Sequence, residues 1–305
     1  MPKLDRDKIL EQLKDPMFSR EEILEKWYKE LEEGIPIIYT GCSSGIVARY
    51  AERAGIDAIV VYETGLSRHW GMPTTMLRDP NTWTFKMFEE IKNVVNNTPI
   101  IAGLECYDPK YLYEKGLKRL LFRAIQIGFD GIQNFPTLAF LPYNTAALRD
   151  TVNMGWKREL EMVRLCKKLG IFTMWYACFP EQAKEVVEAG ADVVVPHNGW
   201  THGGKLGAPV VKGRELGAGI IPVGDKETAA QRIQEIIEAA RSVRKDVICL
   251  AHGGPWATPE DVQYLFSHTD ADGFEAASAF ERIPLENAIR DTMKKFKSIN
   301  LKRGK

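Results

Sequence analysis

Apolar residues along the chain gather into eight short β-rich runs: IPIIYTG (35–41), DAIVVY (57–62), TPIIAGLE (98–105), DGIQNF (130–135), IFTMWYA (171–177), DVVVPHNG (192–199), DVICLAHGG (246–254) and DGFEAAS (272–278). Most are continuously apolar, which is how a strand reads when both of its faces are covered. Between them lie segments whose apolar positions recur with helical period, among them SGIVARYAERAG, TWTFKMFEEIKNVV, MGWKRELEMVRLCKKLG, EQAKEVVEAG and KETAAQRIQEIIEAARSV. Strand and helix alternate to the end, which predicts eight βα units.

A small repeat supports this pattern. AGIDAIVV (54–61), IGFDGIQN (127–134) and AGADVVVP (189–196) each end a helix at glycine, pass one residue and open a strand with aspartate. Glycine takes the left-handed conformation that closes a helix. Pro80, Pro109, Pro180, Pro259 and Pro284 stand where helices should begin, a position where the missing N–H would have no partner. With no linker rich in proline, glycine or serine between halves, the units predict one closed (β/α)8 TIM barrel over residues 35–297. An N-terminal helical extension over residues 1–34 precedes it. The rival fold, an open doubly wound sheet, should carry a glycine-rich turn after its first strand, and GCSSG (41–45) lacks the G-x-G-x-x-G spacing.

Composition narrows the function. In 305 residues, 41 lysines and arginines balance 41 aspartates and glutamates, so no basic field exists to attract nucleic acid or an anionic membrane. The five cysteines (Cys42, Cys106, Cys166, Cys178, Cys249) are odd in number and show no C-x-x-C spacing, against a disulfide framework or a structural zinc site. A reducing, cytoplasmic setting is expected. The first thirty residues are charged throughout, and no apolar run approaches the roughly 18 residues of a membrane span.

In a parallel barrel the loops after the C-terminal strand ends build the active site. Gly41 and Cys42 follow the first strand, Glu63 the second and Glu105 the third; Asn134 and Thr137 flank the end of the fourth. Tyr176 lies in the fifth, His197 and Asn198 end the sixth, His252 ends the seventh, and Ser278, Glu281 and Arg282 follow the eighth. His252 and His197 are the leading candidates, since imidazole exchanges protons near neutral pH or binds a metal, and both follow apolar runs directly. His69, His202 and His268 are weaker candidates, two in loops and one near a helix end. Gly253 and Gly254 allow backbone N–H groups to approach an anion; the bland alternative is a tight turn into a helix capped by Thr258.

The stretch GWTHGGK, which contains Thr201, Gly203 and Gly204, has P-loop-like glycine and lysine spacing. Leu206 stands where the magnesium-binding hydroxyl would be, so a nucleotide P-loop is rejected. What remains is a long connection, 199–224, readable as a lid over a ligand or as a subunit contact. Arg68 and Arg282 could grip a carboxylate or phosphate by two-pronged hydrogen bonds, salt bridges being their alternative. Asp108 before Pro109 reads as a helix cap. Cys42 reads as packing material or a nucleophile with no identifiable base. The carboxylates Glu63, Glu105 and Glu281 are scattered, so no local metal motif is visible; a divalent ion such as magnesium or zinc, held across strands, stays open.

These segments carry a resemblance. GFDGIQNFPT, AGADVVVPHNGWTHGG, LAHGGPWATPEDVQYLF and DGFEAASAFERIP resemble the phosphoenolpyruvate hydrolase-like family of TIM-barrel proteins, related to phosphoenolpyruvate mutase and also labelled signal-transduction barrels. The similarity covers about residues 20–296. It implies a (β/α)8 barrel, a homo-oligomer, and activity on a small phosphoenolpyruvate-like or oxo-acid compound. The chain departs from the family pattern at Glu105, near Leu66 and in the length of 199–224, and it lacks obvious acidic magnesium-binding clusters.

The expectation is a hydrolase or lyase that cleaves a bond next to a carbonyl or enol in a small anionic substrate. His252 and His197 would move protons or hold a metal, Asn134 and Glu105 would orient substrate or water, and Glu281 would assist. Gly253, Gly254, Arg68 and Arg282 would bind the anionic end, with Gly41, Cys42, Glu63, Tyr176, Thr201, Gly203, Gly204 and Ser278 lining the site. A metabolite-sensing or protein-docking barrel, and an assembly role for the N-terminal helices, are the alternatives.

Overall fold

The structure, a computed structural model, describes residues 18–141, 143–207 and 225–302. A helix, α1 (Arg20–Glu32), precedes eight strands: β1 (Ile37–Cys42), β2 (Ala58–Val61), β3 (Ile100–Leu104), β4 (Gly131–Asn134), β5 (Phe172–Ala177), β6 (Val193–Pro196), β7 (Ile248–His252) and β8 (Gly273–Ala276). Neighbours in sequence pair in parallel and β8 closes on β1, so the sheet is the expected closed barrel and not the open rival. The helices between strands are α2 (Gly45–Arg53), α3 (Gly65–His69), α4 (Pro80–Lys92), α5 (Glu114–Ile127), α6 (Tyr143–Asp150), α7 (Trp156–Leu169), α8 (Pro180–Ala189), α9 (Lys226–Val243) and α10 (Pro259–His268); α11 (Arg282–Lys297) follows β8.

Two apolar layers explain why the strand runs read as continuous. Alternate strand residues point to opposite faces. Tyr39, Val60, Ile101, Met174, Val195 and Leu250 cluster in the barrel lumen, whereas Ile59, Ala102, Ile132, Trp175, Val194 and Cys249 pack outward against the helices. Both faces are buried, so most alternate positions are apolar, with Thr40, Gln133, Thr173 and Glu275 as buried polar exceptions.

The glycine–aspartate repeat has a shared mechanical role. Asp57, Asp130 and Asp192 each turn Oδ2 to a backbone N–H at the start of the preceding strand, on Ile38, Ile100 and Thr173 at 2.8, 2.8 and 3.0 Å. Asp272 does the same for Cys249 at 2.7 Å, a fourth instance that lacks the glycine signature. Every even strand thus clamps the odd strand before it. Gly55, Gly128 and Gly190 all have positive φ, as the repeat requires.

Helix α1 closes the bottom of the barrel. Trp27 is fully buried against Tyr39 and Phe172. Arg20 pairs with Asp192, Lys26 with Asp57, and the Tyr28 hydroxyl donates to the Asp246 carbonyl, so one helix spans several strand starts. The first part of the expected extension, residues 1–17, lies outside the described residues.

Pro80, Pro180 and Pro259 occupy first turns as expected. Pro109 opens only a short 3-10 turn, and Pro284 is the third residue of α11, still within the turn whose N–H groups have no intrahelical partner. Among the described residues no helix is long and apolar enough to cross a membrane. The five cysteines are buried and unpaired.

Candidate active site

A carboxylate from β8 stands inside the barrel. Glu275, fully buried, accepts hydrogen bonds from the hydroxyls of Tyr39 on β1 and Tyr176 on β5, and from Gln133 Nε2 on β4 at 3.0 Å. Strands β4 and β5 face β8 across the barrel, so only the lumen can bring these groups together. Burial first, and then the Glu275 charge, push both phenols well above their usual range, which keeps them neutral donors.

His197 and His252 lie above this network. The ends of β6 and β7 are joined by a bridge between these two residues, and their ring centroids are 4.3 Å apart, edge to face. Tyr176 lies 4.8 Å from the first ring and 5.5 Å from the second, and Phe140 covers His197 at 4.6 Å. Hydrogen-bond partners set the tautomers. Gly199 N–H donates to His197 Nδ1 at 2.9 Å, so the ring proton of neutral His197 sits on Nε2. His252 Nδ1 lies 2.8 Å from the Glu275 carbonyl oxygen, an acceptor, so it carries the proton and Nε2 keeps the lone pair. Burial, reinforced by His252, holds His197 well below the usual imidazole range. The Glu275 carboxylate is 3.9 Å from His252 Nδ1.

The glycine pair shapes the turn beside the histidines. Gly253 and Gly254 have φ of +76° and +64°, and a Cβ on Gly253 would overlap the Gly199 carbonyl oxygen and lie 3.0 Å from His197 Cε1. The Gly254 N–H donates to Gly199 O at 3.1 Å, so it is already committed within the turn. Thr258 caps α10, as the bland reading expects. His202 N–H reaches Gly254 O at 2.9 Å, and the next stretch, with buried Thr201, runs to Gly203 and Gly204. Arg282 holds that stretch, donating to Gly203 O at 3.0 Å and to Glu286 at 2.9 Å. Arg282 therefore ties a loop to α11. Of the long connection 199–224, residues 208–224 lie outside the described residues.

On the β1–β2 side sits a second buried polar cluster. Glu281 accepts from Ser43 N–H at 3.0 Å, from the Ser43 hydroxyl, and from Arg68 Nε at 2.7 Å. Arg68 Nη2 is buried with no hydrogen-bond partner among the described residues, and the guanidinium lies 5.5 Å from the Tyr62 ring. Tyr62 packs on Phe135 at 4.2 Å, and Phe135 in turn lies 6.2 Å from Tyr176, so aromatic rings connect the two clusters. Gly41 makes room for this arrangement, since a Cβ there would overlap the Tyr62 hydroxyl. Cys42 faces the outer layer, and burial pushes its thiol up to about 12, which leaves no thiolate for nucleophilic attack. Ser278 is buried, 3.4 Å from Thr74 Oγ1.

The remaining candidates are elsewhere. Asn134 is turned outward by the strand alternation, and its neighbour Gln133 holds the lumen position. Asn134 Oδ1 accepts from Tyr176 N–H at 2.8 Å, and its amide donates to Thr137 at 2.9 Å and to Glu159 of α7. Glu159 also accepts from Thr137 and Leu138, and burial pushes its carboxyl up to about 7. Glu63 accepts from Leu77 and Arg78 N–H at 2.8 and 2.7 Å and so anchors the loop after α3. Glu105 is partly buried; burial and then the nearby Asp108 and Asp79 push its carboxyl up to about 7. Asp108 accepts from Lys110 N–H, the expected cap. His69 and His268 are exposed, the latter bonded to the Tyr264 carbonyl at its helix end.

Among the described residues no group of three or more His, Cys, Asp or Glu is arranged to hold a divalent ion, and both Glu275 oxygens are occupied by phenol and amide donors. These side chains do not fit a metal. The residues the sequence reading missed are Glu275, Gln133 and Tyr39. Their signal was positional: Tyr39, Gln133 and Glu275 share the strand face of Tyr176, His197 and His252.

Comparisons with known proteins extend this picture. A family model described as "Phosphoenolpyruvate hydrolase-like" matches residues 22–299. The "ToMV resistance protein Tm-1(GCR237)" of Solanum lycopersicum is 33% identical over 288 residues, 93% of this chain and 36% of that protein. The chain thus spans about a third of the length of that curated relative. Two solved structures share the fold: phosphonopyruvate hydrolase in complex with oxalate and Mg++ (TM-score 0.54, 15% identity, 92% of this chain and 87% of that one), and 2,3-dimethylmalate lyase, a PEP mutase/isocitrate lyase superfamily member (TM-score 0.56, 14% identity, 94% and 92%).

Proposed function

The chain belongs to the phosphoenolpyruvate hydrolase-like family, and on that premise we propose that it is a hydrolase or lyase cleaving a bond next to a carbonyl or enol in a small anionic oxo-acid or phosphorylated acid, in a cytoplasmic setting. The observation that carries this reading is the pair His197 and His252, in contact and in complementary tautomers, above a buried carboxylate. His252 Nε2 accepts a proton, from substrate or from attacking water. The imidazolium so formed is balanced by Glu275, 3.9 Å from Nδ1. His197, kept neutral by burial, donates its Nε2–H to the oxygen where negative charge develops, and stabilising that charge is usually the largest catalytic contribution.

The anionic end of the substrate goes to Arg68, whose Nη2 has no hydrogen-bond partner among the described residues and whose Nε is fixed by Glu281. Glu281 then acts as a positioning residue, with Ser43 satisfying its other oxygen. Asn134 supports the site from outside the lumen, through the Tyr176 backbone. Phosphonopyruvate hydrolase and 2,3-dimethylmalate lyase, by their names, act on small acids, which favours this substrate class over larger ligands.

The test is turnover of phosphoenolpyruvate, phosphonopyruvate and β-keto acids by the wild type and by His252→Ala. Loss of at least about 100-fold in the variant supports the base assignment, in line with the usual contribution of a general base. Equal rates remove His252 from the mechanism. A second reading, a barrel that binds such an acid without converting it, is favoured by the curated relative, which is named as a resistance protein and not as an enzyme. Thermal stabilisation by an acid that stays chemically unchanged would select it.

A further inference from the structure

We infer that Glu159, which touches neither histidine, is a positioning residue for the pair: from outside the barrel it gathers the segment after β4, and so seats Phe140 against His197 and Tyr176 beside both rings. Its effect on rate rests on the catalytic reading above, whereas the seating is a property of the resting protein.

Glu159 lies in the first turn of α7, among residues that pack into the outer apolar layer, and is fully buried. An apolar side chain would fill that position without the cost of taking a carboxylate out of water. The two oxygens instead collect three donors from one short segment: Asn134 Nδ2, the Thr137 hydroxyl at 3.0 Å and Leu138 N–H. Neighbouring groups fix the direction of these bonds. Thr137 Oγ1 already accepts from the Asn134 amide at 2.9 Å and from Ala139 N–H at 3.0 Å, so its one proton goes to Glu159. Asn134 Oδ1 faces Tyr176 N–H, a donor, so the amide nitrogen is the end turned to the carboxylate.

Two arms lead from this junction to the site. In the first, the ladder between β4 and β5 ends at Gln133 and Met174, and the Asn134 side chain continues it. Its Oδ1 takes Tyr176 N–H at 2.8 Å and its Nδ2 lies 3.4 Å from Tyr176 O. Tyr176 is thereby held with its ring 4.8 and 5.5 Å from His197 and His252 and its hydroxyl on Glu275.

In the second arm, Glu159 and Thr137 fix Leu138 and Ala139, and Gln182 of α8 donates to Ala139 O at 3.1 Å. Phe140 follows directly, and its ring meets His197 with centroids 4.6 Å apart at 81°. The backbone on the N-terminal side of Phe140 is therefore tied to two helices, and the ring it carries covers the histidine that must stay neutral to donate. Both arms pass through Glu159 or through a residue bonded to it.

The test is proton NMR of the His197 ring in the resting protein, because an aromatic ring at this distance displaces the imidazole resonances. Phe140→Leu gives the position of those resonances without the covering ring. Glu159→Gln keeps the size of the side chain but turns one acceptor oxygen into an NH2 donor. It is expected to move the His197 resonances toward their position in Phe140→Leu and to speed hydrogen exchange of Tyr176 N–H, which Asn134 protects. The exposed and distant His268 ring should not move. A role confined to stability would leave His197 in place in the folded variant. With an acid that the wild type turns over, kcat is expected to fall about tenfold or more with KM within about twofold, since Arg68 is untouched. Should Glu159→Gln fail to fold, Thr137→Val, which removes the hydroxyl joining Glu159 to Asn134 and Ala139, is read by the same criteria. His197 resonances unmoved in a folded variant, or an unchanged kcat in an active one, would overturn the inference. A wild type that converts none of the acids rejects the proposed reaction alone, and the resonances still decide the seating.

Discussion

His197 and His252 meet edge to face with centroids 4.3 Å apart, one ring accepting a backbone N–H at Nδ1 and the other facing a carbonyl from the same atom position. The two imidazoles are therefore opposite tautomers, a donor and an acceptor side by side. Nitrogen-15 NMR of the neutral imidazole rings should find His197 as the Nε2–H form and His252 as the Nδ1–H form. His197 should stay neutral to lower pH than an ordinary imidazole, because burial and then His252 disfavour its charged form. Because its folded value is depressed, its contribution to stability is complete above the unfolded value and is lost as pH falls. A His197 that takes up its proton at the same pH as an unfolded control peptide would refute the assignment.

Gly253, in the turn beside the histidines, has a match in Gly34, which follows α1. Gly34 and Gly253 share a φ of +76°, but a Cβ on Gly34 meets nothing within 4 Å, whereas one on Gly253 overlaps the Gly199 carbonyl. Gly34→Ala should cost only the left-handed backbone strain, about 1–2 kcal/mol. Gly253→Ala should cost a further 1–3 kcal/mol or so, typical of overpacking, and should displace the His197 ring. Urea unfolding of the two variants measures the difference; equal losses would mean that the close approach at Gly253 is relaxed without cost.

Glu159 predicts a pH dependence with a definite sign. Its carboxyl is pushed up to about 7 by burial, against the opposing effect of bonds from Asn134, Leu138 and Thr137. A raised folded value means the folded state holds the proton more tightly. The associated stability is present below the unfolded value near 4.5 and is lost as pH rises toward about 7. A shift of that size corresponds to roughly 3 kcal/mol as an upper figure. Glu159→Gln should flatten the stability profile between about pH 4.5 and 7 relative to wild type. An unchanged slope would mean that Glu159 ionises freely, through water reaching the pocket.

Much of the fold was legible because its devices are local. Glycine before aspartate marks Asp57, Asp130 and Asp192, and each proves to clamp the strand before it. Asp272 was not recognisable as a fourth clamp, since no glycine precedes it at the repeat spacing. His197 and His252 were legible as a pair because both end apolar runs at the same depth. Asn134 and Gln133 were not separable: when both strand faces are apolar, alternation leaves no mark on the neighbours, and a one-residue change of phase sends a side chain to the other face. Glu275 was hidden in mid-strand for the same reason. Its partners on β1, β4 and β5 are 236, 142 and 99 residues away, and pairings of that range leave no spacing in the sequence.

That buried network gives the last prediction. Glu275 satisfies Tyr39, Tyr176 and Gln133 at once, in a lumen otherwise filled by apolar side chains. Removing it strands the two phenols, while Gln133 Nε2 keeps the Tyr39 hydroxyl at 3.2 Å, and each buried unsatisfied group costs about 1–3 kcal/mol. Glu275→Ala should therefore destabilise by roughly 3–5 kcal/mol, the range for breaking a buried charged pair. Tyr39→Phe and Tyr176→Phe, which each remove one donor and leave the carboxylate with others, should cost about 1–2 kcal/mol apiece. In the Tyr39→Phe/Tyr176→Phe double variant the loss should exceed the sum, because the carboxylate then keeps only the Gln133 amide. Urea denaturation of the four proteins completes the cycle, and a coupling energy indistinguishable from zero would show that the two phenols act independently of the carboxylate they share.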